Sequence, residues 1–299
     1  MAFRQLAARP DFQLFVFDLL SRTGLSEKDV ATVAGTSRQP VMRVIEEFAK
    51  CFVPKFVDPV DNYELYEFMG DSAVNKATIS YLYRKLSKRL ADGRSPAALG
   101  YLDKIKSACV STPFLANICT QIGFDEFLDW VIQKNQGMYD AKKEKNYRED
   151  VVEAFFGCME VHIDTLYMYR GYCFVSNILV DILDNIHINY DPRSIWTAPI
   201  LLKETNDAIR AASNRDPNAK LYEFVVWRPG TVSLIGRRRA DQPKSAIERL
   251  DWGSSSDTKA DAEKELSEII LTRLRADRQY ERLVRHPPTA AQLGIQDLL

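Results

Sequence analysis

Apolar residues recur three and four positions apart from the N-terminus to about residue 188, and this spacing predicts a helical region. It is clearest in VMRVIEEFAKCF, SAVNKATISYLYRKLSKRL, TPFLANICTQIG, FDEFLDWVIQK and VVEAFFGCMEV. Stretches rich in Gly, Pro, Asp and Asn, such as VPKFVDPVDN and ADGRSPAALG, separate these segments. The pattern therefore predicts a bundle of helices joined by turns.

The pattern changes after the segment NYDPRSIWTAP, residues 189–199, where Pro192 cannot continue a preceding helix. Beyond it, SIWTAPILLKETNDAIRAAS predicts a helix. LYEFVVWRPG, TVSLIGR and SAIERLDWG are short and rich in β-branched and aromatic residues, which predicts three strands. DTKADAEKELSEIILTRLRADRQYERLV predicts a long final helix capped by Asp257 or Thr258. The order is that of a small α+β domain.

Composition places the chain among folded globular proteins, since 46% of its 299 residues are hydrophobic and 27% are charged. The net charge of −1 averages two unlike parts. Residues 192–299 carry 18 basic against 15 acidic residues, whereas residues 1–191 carry 22 against 26. This asymmetry points weakly to a polyanion-binding C-terminal part.

The five cysteines form no C-x-x-C pair and have mostly apolar neighbours, so we expect buried free thiols in a reducing compartment. An intracellular, cytoplasmic location follows. The start MAFRQLAARPDFQLFVFDLL has two arginines and no acid before Asp11, which leaves a mitochondrial leader open, although FQLFVFDLL equally predicts a first core helix. No apolar run approaches the ~20 residues of a membrane span, so no membrane partner is expected.

Carboxylates stand out in NYELYEFMGDSAVNKATISYLYRKL, where Glu64, Glu67 and Asp71 fall within a ~60° arc of the predicted helix. Gly70 is unfavourable inside a helix, which suggests that another element packs closely there. The apolar neighbours of these acids are expected to lie in the core: Leu65, Phe68, Met69, Ala73 and Val74.

A second acidic pair, Asp150 and Glu153, occurs in REDVVEAFFGCMEV and is followed by apolar residues. Either group alone is explained by acids facing solvent near a helix N-terminus. Together they form a set with no interleaved Lys or Arg, and such a set repels itself unless it binds a cation or holds protons. Oxygen ligands with room for water suit Mg²⁺ or Mn²⁺ rather than zinc.

Three stretches resemble the motifs of the ribonuclease III family. YELYEFMGDSAVN resembles the signature that opens the family's main acidic helix, and EDVVEAFFGCMEV resembles its second acidic motif. Between them, LGYLDKIKSACVSTPFLANICTQIGF resembles the family's helix, serine-bearing turn and helix. The departures are Ser72 in place of the usual alanine, no threonine-histidine-serine turn before the signature, and about forty N-terminal residues without a recognised counterpart.

The resemblance implies site residues and an activity. Glu64 falls on the first signature acid and belongs to the catalytic set, while Glu67, Asp71, Asp150 and Glu153 fall on the catalytic metal ligands. It implies a Mg²⁺-dependent endoribonuclease, with Mn²⁺ as the alternative ion, that cuts double-stranded RNA by a two-metal mechanism. It also implies a homodimer that leaves 5′-phosphates and 3′ overhangs.

The predicted fold is a mainly α nuclease domain, a ribonuclease III-like helical bundle, followed by a small α-β-β-β-α domain similar to double-stranded RNA-binding domains. The predicted boundaries are an N-terminal helical extension (1–37), the endonuclease domain (38–188), a linker (189–199), the RNA-binding-like domain (200–285) and a flexible tail (286–299).

The C-terminal domain carries the candidate RNA contacts. TKADAEKEL resembles a helix start of double-stranded RNA-binding domains, in which Lys259 matches one of two lysines and Ala260 replaces the other. RRRADQPK adds a basic run, so the candidate RNA-binding residues are Arg237, Arg238, Arg239, Lys244 and Lys259. With one lysine replaced, a protein partner for this domain stays open.

Two alternative functions also stay open for the whole chain. One is a non-catalytic, ribonuclease III-like RNA-binding or structural subunit. The other is a different metal-dependent hydrolase on the same helical scaffold.

Overall fold

The computed structural model describes residues 2–22, 24–26, 28–30, 41–86, 96–135, 144–191, 195–213, 221–228, 231–237, 248–251, 259–278, 280–289 and 293. The chain divides into two compact units, Met1–Asn189 and Tyr190–Leu299. Within the described ranges, no helix combines the length and the apolar character needed to cross a lipid bilayer.

The regular secondary structure described in the first unit is entirely helical. Its helices are α1 (Ala2–Ala7), α2 (Pro10–Ser21), α3 (Val41–Lys50), α4 (Glu64–Leu86), α5 (Pro96–Cys109), α6 (Thr112–Ile122), α7 (Asp125–Lys134), α8 (Glu144–Leu166) and α9 (Gly171–Asn185). Gly123 ends α6 with a φ of 90°, a left-handed conformation that favours glycine, and the chain turns there into α7.

Helices α4 and α8, of 23 residues each, cross at two glycines. A Cβ atom on Gly70 would lie 1.8 Å from the carbonyl oxygen of Glu153, and one on Gly157 would lie 2.1 Å from that of Tyr66. Both distances are far below van der Waals contact, so only glycine allows the two backbones to approach this closely. The unfavourable glycine inside the acidic helix is thereby explained.

Stacked aromatic rings fill the core beside this crossing. The ring of Phe155 in α8 lies 4.8 Å from Phe124 and 5.1 Å from Phe48, measured between centroids. Phe12 in α2 contacts Phe52 and Phe127 edge to face, at 5.4 and 5.2 Å. The described N-terminal helices therefore share one core with the rest of this unit. The predicted boundary at residue 37 lies outside the described residues.

The expectation that every apolar neighbour of the acids lies in the core is wrong for three residues of α4. Leu65, Phe68 and Met69 are 66%, 80% and 39% exposed, whereas Ala73 and Val74 are buried as predicted. Helical spacing shows which residues share a face, but it does not show whether another element of the same chain covers that face.

The second unit runs helix, three strands, helix along its described residues. The elements are α10 (Ala198–Ser213), β1 (Leu221–Arg228), β2 (Thr231–Arg237), β3 (Glu248–Asp251) and α11 (Lys259–Ala276), and a short 3₁₀ turn follows at Glu281–Leu283. The strands form one antiparallel sheet in the order β1-β2-β3.

The elements of the second unit differ in detail from the predicted segments. β3 is shorter than predicted, and α11 ends at Ala276 rather than near residue 284. The predicted caps Asp257 and Thr258 lie outside the described residues. Leu293, within the predicted flexible tail, is buried.

All five cysteines are free thiols, and four of them are buried: Cys51, Cys109, Cys119 and Cys158. The prediction of buried free thiols is confirmed for these four, whereas Cys173 is exposed.

Replacing one glycine by alanine tests whether α4 and α8 approach each other as closely as described. We expect Gly157→Ala to lower the free energy of unfolding by about 1–3 kcal/mol, the usual cost of overpacking an interior, because the methyl would collide with the carbonyl of Tyr66. Urea denaturation followed by circular dichroism measures the change. Gly100→Ala is the matched control, since a Cβ there meets no atom within 4 Å. Equal stability of both variants would contradict the crossing.

Candidate active site

The α4–α8 crossing brings the five predicted acids together. Glu64, Glu67 and Asp71 lie on α4, and Asp150 and Glu153 lie on α8. Asp71 follows Gly70, whose missing side chain makes room for the carbonyl of Glu153. The pKa shifts are consistent with this proximity. The charges of Asp71, Glu67 and Asp150 contribute to the raised pKa of Glu153. The charges of Asp150, Glu64 and Asp71 contribute to that of Glu67.

Burial makes three acids of the cluster, Glu67, Asp150 and Glu153, reluctant to ionise. Glu153 is only 8% exposed, and burial, followed by the charges of Asp71 and other acids, raises its pKa to about 8. The same causes raise the pKa of Glu67 to about 7. Burial also raises the pKa of Asp150, to about 6, although a hydrogen bond from Tyr63 opposes the shift. Glu153, and to a smaller extent Glu67, therefore hold protons near neutral pH when no cation is bound.

Two of the four predicted metal ligands accept a hydrogen bond from a neutral side chain. The hydroxyl of Tyr63 donates to Oδ2 of Asp150 at 2.6 Å. The side-chain amide of Asn75 donates to Oδ1 of Asp71, also at 2.6 Å.

Glu64 is the exception among the five, because Lys55 neutralises it. Nζ of Lys55 lies 2.7 and 3.0 Å from the two carboxylate oxygens of Glu64. Within the described ranges, no lysine or arginine lies within ion-pair distance of the other four acids. Glu64 thus stands apart from the four predicted metal ligands.

The sequence prediction missed three residues at this site. Glu149 contributes to the raised pKa of Glu67, Asp150 and Glu153, and the acidic pair Glu149–Asp150 in the sequence was an available signal. Tyr63 and Lys55 carried no such signal, because a tyrosine or lysine before a helix has many other uses.

The donor set fits a hard divalent cation in its chemistry. Its four ligand candidates offer only carboxylate oxygens, the ligands that Mg²⁺ and Mn²⁺ prefer. Burial, followed by the charges of neighbouring acids, raises the pKa of Glu67 and Glu153, and a bound cation would offset both causes. Among the described residues, no three His, Cys, Asp or Glu side chains already stand in metal-ligating geometry.

The predicted RNA contacts belong to the second unit. Arg237 is the last residue of β2, paired with Leu221 of β1, and Lys259 is the first residue of α11. Arg238, Arg239 and Lys244 lie outside the described residues.

Comparison with known proteins identifies the helical unit. Residues 64–162 match the model of the Ribonuclease III domain. A protein of Frog virus 3 (isolate Goorha), named as a ribonuclease 3, is 28% identical over 203 residues, which cover 66% of this chain and 53% of the viral protein. Ribonuclease 3 of Lactobacillus johnsonii (strain CNCM I-12250 / La1 / NCC 533) is 33% identical over 98 residues, which cover 33% of this chain and 39% of that protein.

The solved structure of Dicer from Pichia stipitis aligns with this chain at 17% sequence identity. The alignment covers 78% of this chain and 94% of the Dicer chain. The TM-score is 0.32, which is too low to establish a shared fold. The chain spans about half the length of the viral relative.

The acidic crossing of the helical unit lies inside the segment that matches the Ribonuclease III domain. Residues 64–162 of this chain are therefore similar to the domain of the ribonuclease III family, and the viral and bacterial relatives are named ribonuclease 3.

The raised carboxyl pKa values predict how pH changes the stability of the metal-free protein. Folded Glu153 holds its proton more tightly than the unfolded chain does, so stability falls as pH rises from 4.5, its ordinary pKa, to about 8. In EDTA, we expect the melting temperature to fall over this range, and to fall less for Glu153→Gln. Asp103→Asn, an exposed acid on α5, should follow the wild type. The same pH dependence in all three proteins would contradict the assignment.

Proposed function

We propose that this chain is a divalent-metal-dependent endoribonuclease that hydrolyses phosphodiester bonds of double-stranded RNA. The observation that carries the proposal is the acid cluster at the α4–α8 crossing, which runs from the buried Glu153 to the exposed Asp71 and lies inside the segment that matches the Ribonuclease III domain. A repulsive cluster of this kind does not stabilise a fold, so its presence supports a binding function.

Each acid of the cluster has a role in this proposal. Glu67, Asp71, Asp150 and Glu153 would hold Mg²⁺, or Mn²⁺, and Glu67 and Glu153 would release protons as the cation binds. When bound, two such ions supply Lewis acidity toward water and neutralise charge at the phosphoryl and leaving oxygens. Glu64 lies at the edge, where it holds Lys55 and orients the neighbouring acids.

A homodimer is the proposed assembly, and the exposed face of α4 supports it. Phe68 projects into solvent beside a cavity of about 400 Å³ that Met69, Ser72, Lys76, Glu160 and Tyr172 also line. A twofold axis on this face would place Phe68 of each copy in the cavity of the other, since the same patch faces itself in such a dimer. Exposed apolar patches of this kind commonly mark interfaces.

In such a dimer the two acid clusters would cut opposite strands of one duplex. The proposed products have 5′-phosphates and 3′ overhangs, as the family resemblance implies. An intracellular location, cytoplasmic or mitochondrial, is proposed with this activity.

The second unit is proposed to bind the RNA substrate. Its order of helix, antiparallel three-stranded sheet and helix is similar to that of double-stranded RNA-binding domains. Domains of that kind read duplex shape through phosphate and 2′-hydroxyl contacts. A protein partner for this unit is the alternative, and for the whole chain a non-catalytic RNA-binding or structural subunit.

Removing one carboxylate distinguishes the enzyme from the non-catalytic alternative. We expect Asp71→Asn to lower Mg²⁺-dependent cleavage of long duplex RNA by more than about 100-fold, because even the outer partners of metal ligands are worth about 10–100-fold. RNA binding should persist in a gel-shift assay. Asp103→Asn should cleave like the wild type. Cleavage by Asp71→Asn at the wild-type rate, or by the wild type in EDTA, would refute the proposed site.

The dimer is tested by placing a charge on the exposed face of α4. We expect Phe68→Asp to shift the mass in light scattering from twice the chain mass of 34.2 kDa to a single chain, because a carboxylate would be buried at the interface. Leu14→Asp changes a comparably exposed apolar residue on α2 and should leave the dimer intact. A monomeric wild type would overturn the assembly.

A further inference from the structure

Tyr63 is fixed between the two acidic helices. It is the residue immediately before α4, and only 5% of it is exposed. Its backbone N–H donates to the carbonyl of Val53 at 3.2 Å, and its own carbonyl accepts from the N–H of Glu67 at 2.9 Å. Both sides of its backbone are therefore held, and the ring has little freedom to move.

The hydroxyl of Tyr63 is a permanent donor to the acid cluster. It points at Oδ2 of Asp150 and lies 2.6 Å from it. Burial, followed by the charge of Asp150, raises the pKa of Tyr63 well above its ordinary value, so the phenol keeps its proton. A carboxylate with one oxygen held in this way cannot rotate freely, and the direction of its other oxygen is set as well.

We propose that Tyr63 is a positioning residue that holds the carboxylate of Asp150 in the orientation required for cation binding. The inference rests on the proposed function, because it assumes that Asp150 is a metal ligand. Partners that donate to a ligating carboxylate commonly orient it and tune its affinity for the metal. Nothing in the family resemblance assigns a role to this tyrosine.

A matched control, Tyr66, lies three residues further along the chain, in the first turn of α4. Tyr66 is also buried, 8% exposed, and its hydroxyl donates to a carboxylate, Oε2 of Glu47, at 2.9 Å. Tyr66→Phe therefore removes the same chemical group from a similar environment, but its acceptor is not one of the proposed ligands. The two variants separate the effect on the cation site from the loss of a buried hydrogen bond.

The experiment measures Mn²⁺ binding to the full chain without RNA, by electron paramagnetic resonance of free Mn²⁺. We expect Tyr63→Phe to raise the Kd by about 10–100-fold and Tyr66→Phe to leave it unchanged. Thermal melts in EDTA report the cost of the lost hydrogen bond in each variant. Higher Mn²⁺ concentrations should restore RNA cleavage by Tyr63→Phe. An unchanged Kd for Tyr63→Phe, or an equal increase for Tyr66→Phe, overturns the proposal.

A double-mutant cycle gives a second test through the acceptor. Asp150→Ala, which removes the acceptor, should weaken Mn²⁺ binding by itself, and adding Tyr63→Phe should weaken it no further if the tyrosine acts through Asp150. Fully additive losses overturn the inference while leaving the proposed function intact. A wild type that binds no Mn²⁺ and cleaves no RNA overturns the proposed function and the inference together.

Discussion

The approach of two helix backbones at Gly70 and Gly157 is the constraint on which the rest of the structure depends. With any larger residue at these positions, α4 and α8 would have to separate, because the added Cβ would overlap a carbonyl oxygen. Asp71 directly follows one glycine, and Glu153 lies one turn before the other. The steric condition that joins the helices therefore also brings their carboxylates together, so packing and chemistry depend on the same two residues.

The acid cluster carries an electrostatic cost that the fold does not relieve. Burial and mutual repulsion raise the pKa of Glu153 to about 8 and that of Glu67 to about 7, and of the five acids only Glu64 has a lysine partner among the described residues. Proteins tolerate such arrangements chiefly where a function needs them. Neutral donors, namely Tyr63 on Asp150 and Asn75 on Asp71, hold the carboxylates without neutralising them, which leaves their charge available to a cation.

Helix α4 presents three different faces. One packs on α8 through Gly70, one carries the acids within a ~60° arc, and one is apolar and exposed. The exposed face runs the length of the helix and includes Leu65, Phe68, Met69, Ile79 and Tyr83. In the proposed dimer this face meets its own copy, so a single helix would join core, active site and interface. A disturbance at the interface would then reach the acid cluster through one rigid element.

The sequence by itself predicted the helices of the first unit, the five acids and their resemblance to the ribonuclease III family, because helical spacing and motif order are local properties. It also indicated that something packs at Gly70. Tertiary structure alone decided the burial of each apolar residue, and there the expectation failed for Leu65, Phe68 and Met69. Long-range partners were likewise out of reach: Tyr63 meets Asp150 across 87 positions of the chain, and Lys55 meets Glu64 across a turn. Periodicity groups residues onto a face, but only the packing of distant segments determines what that face contacts.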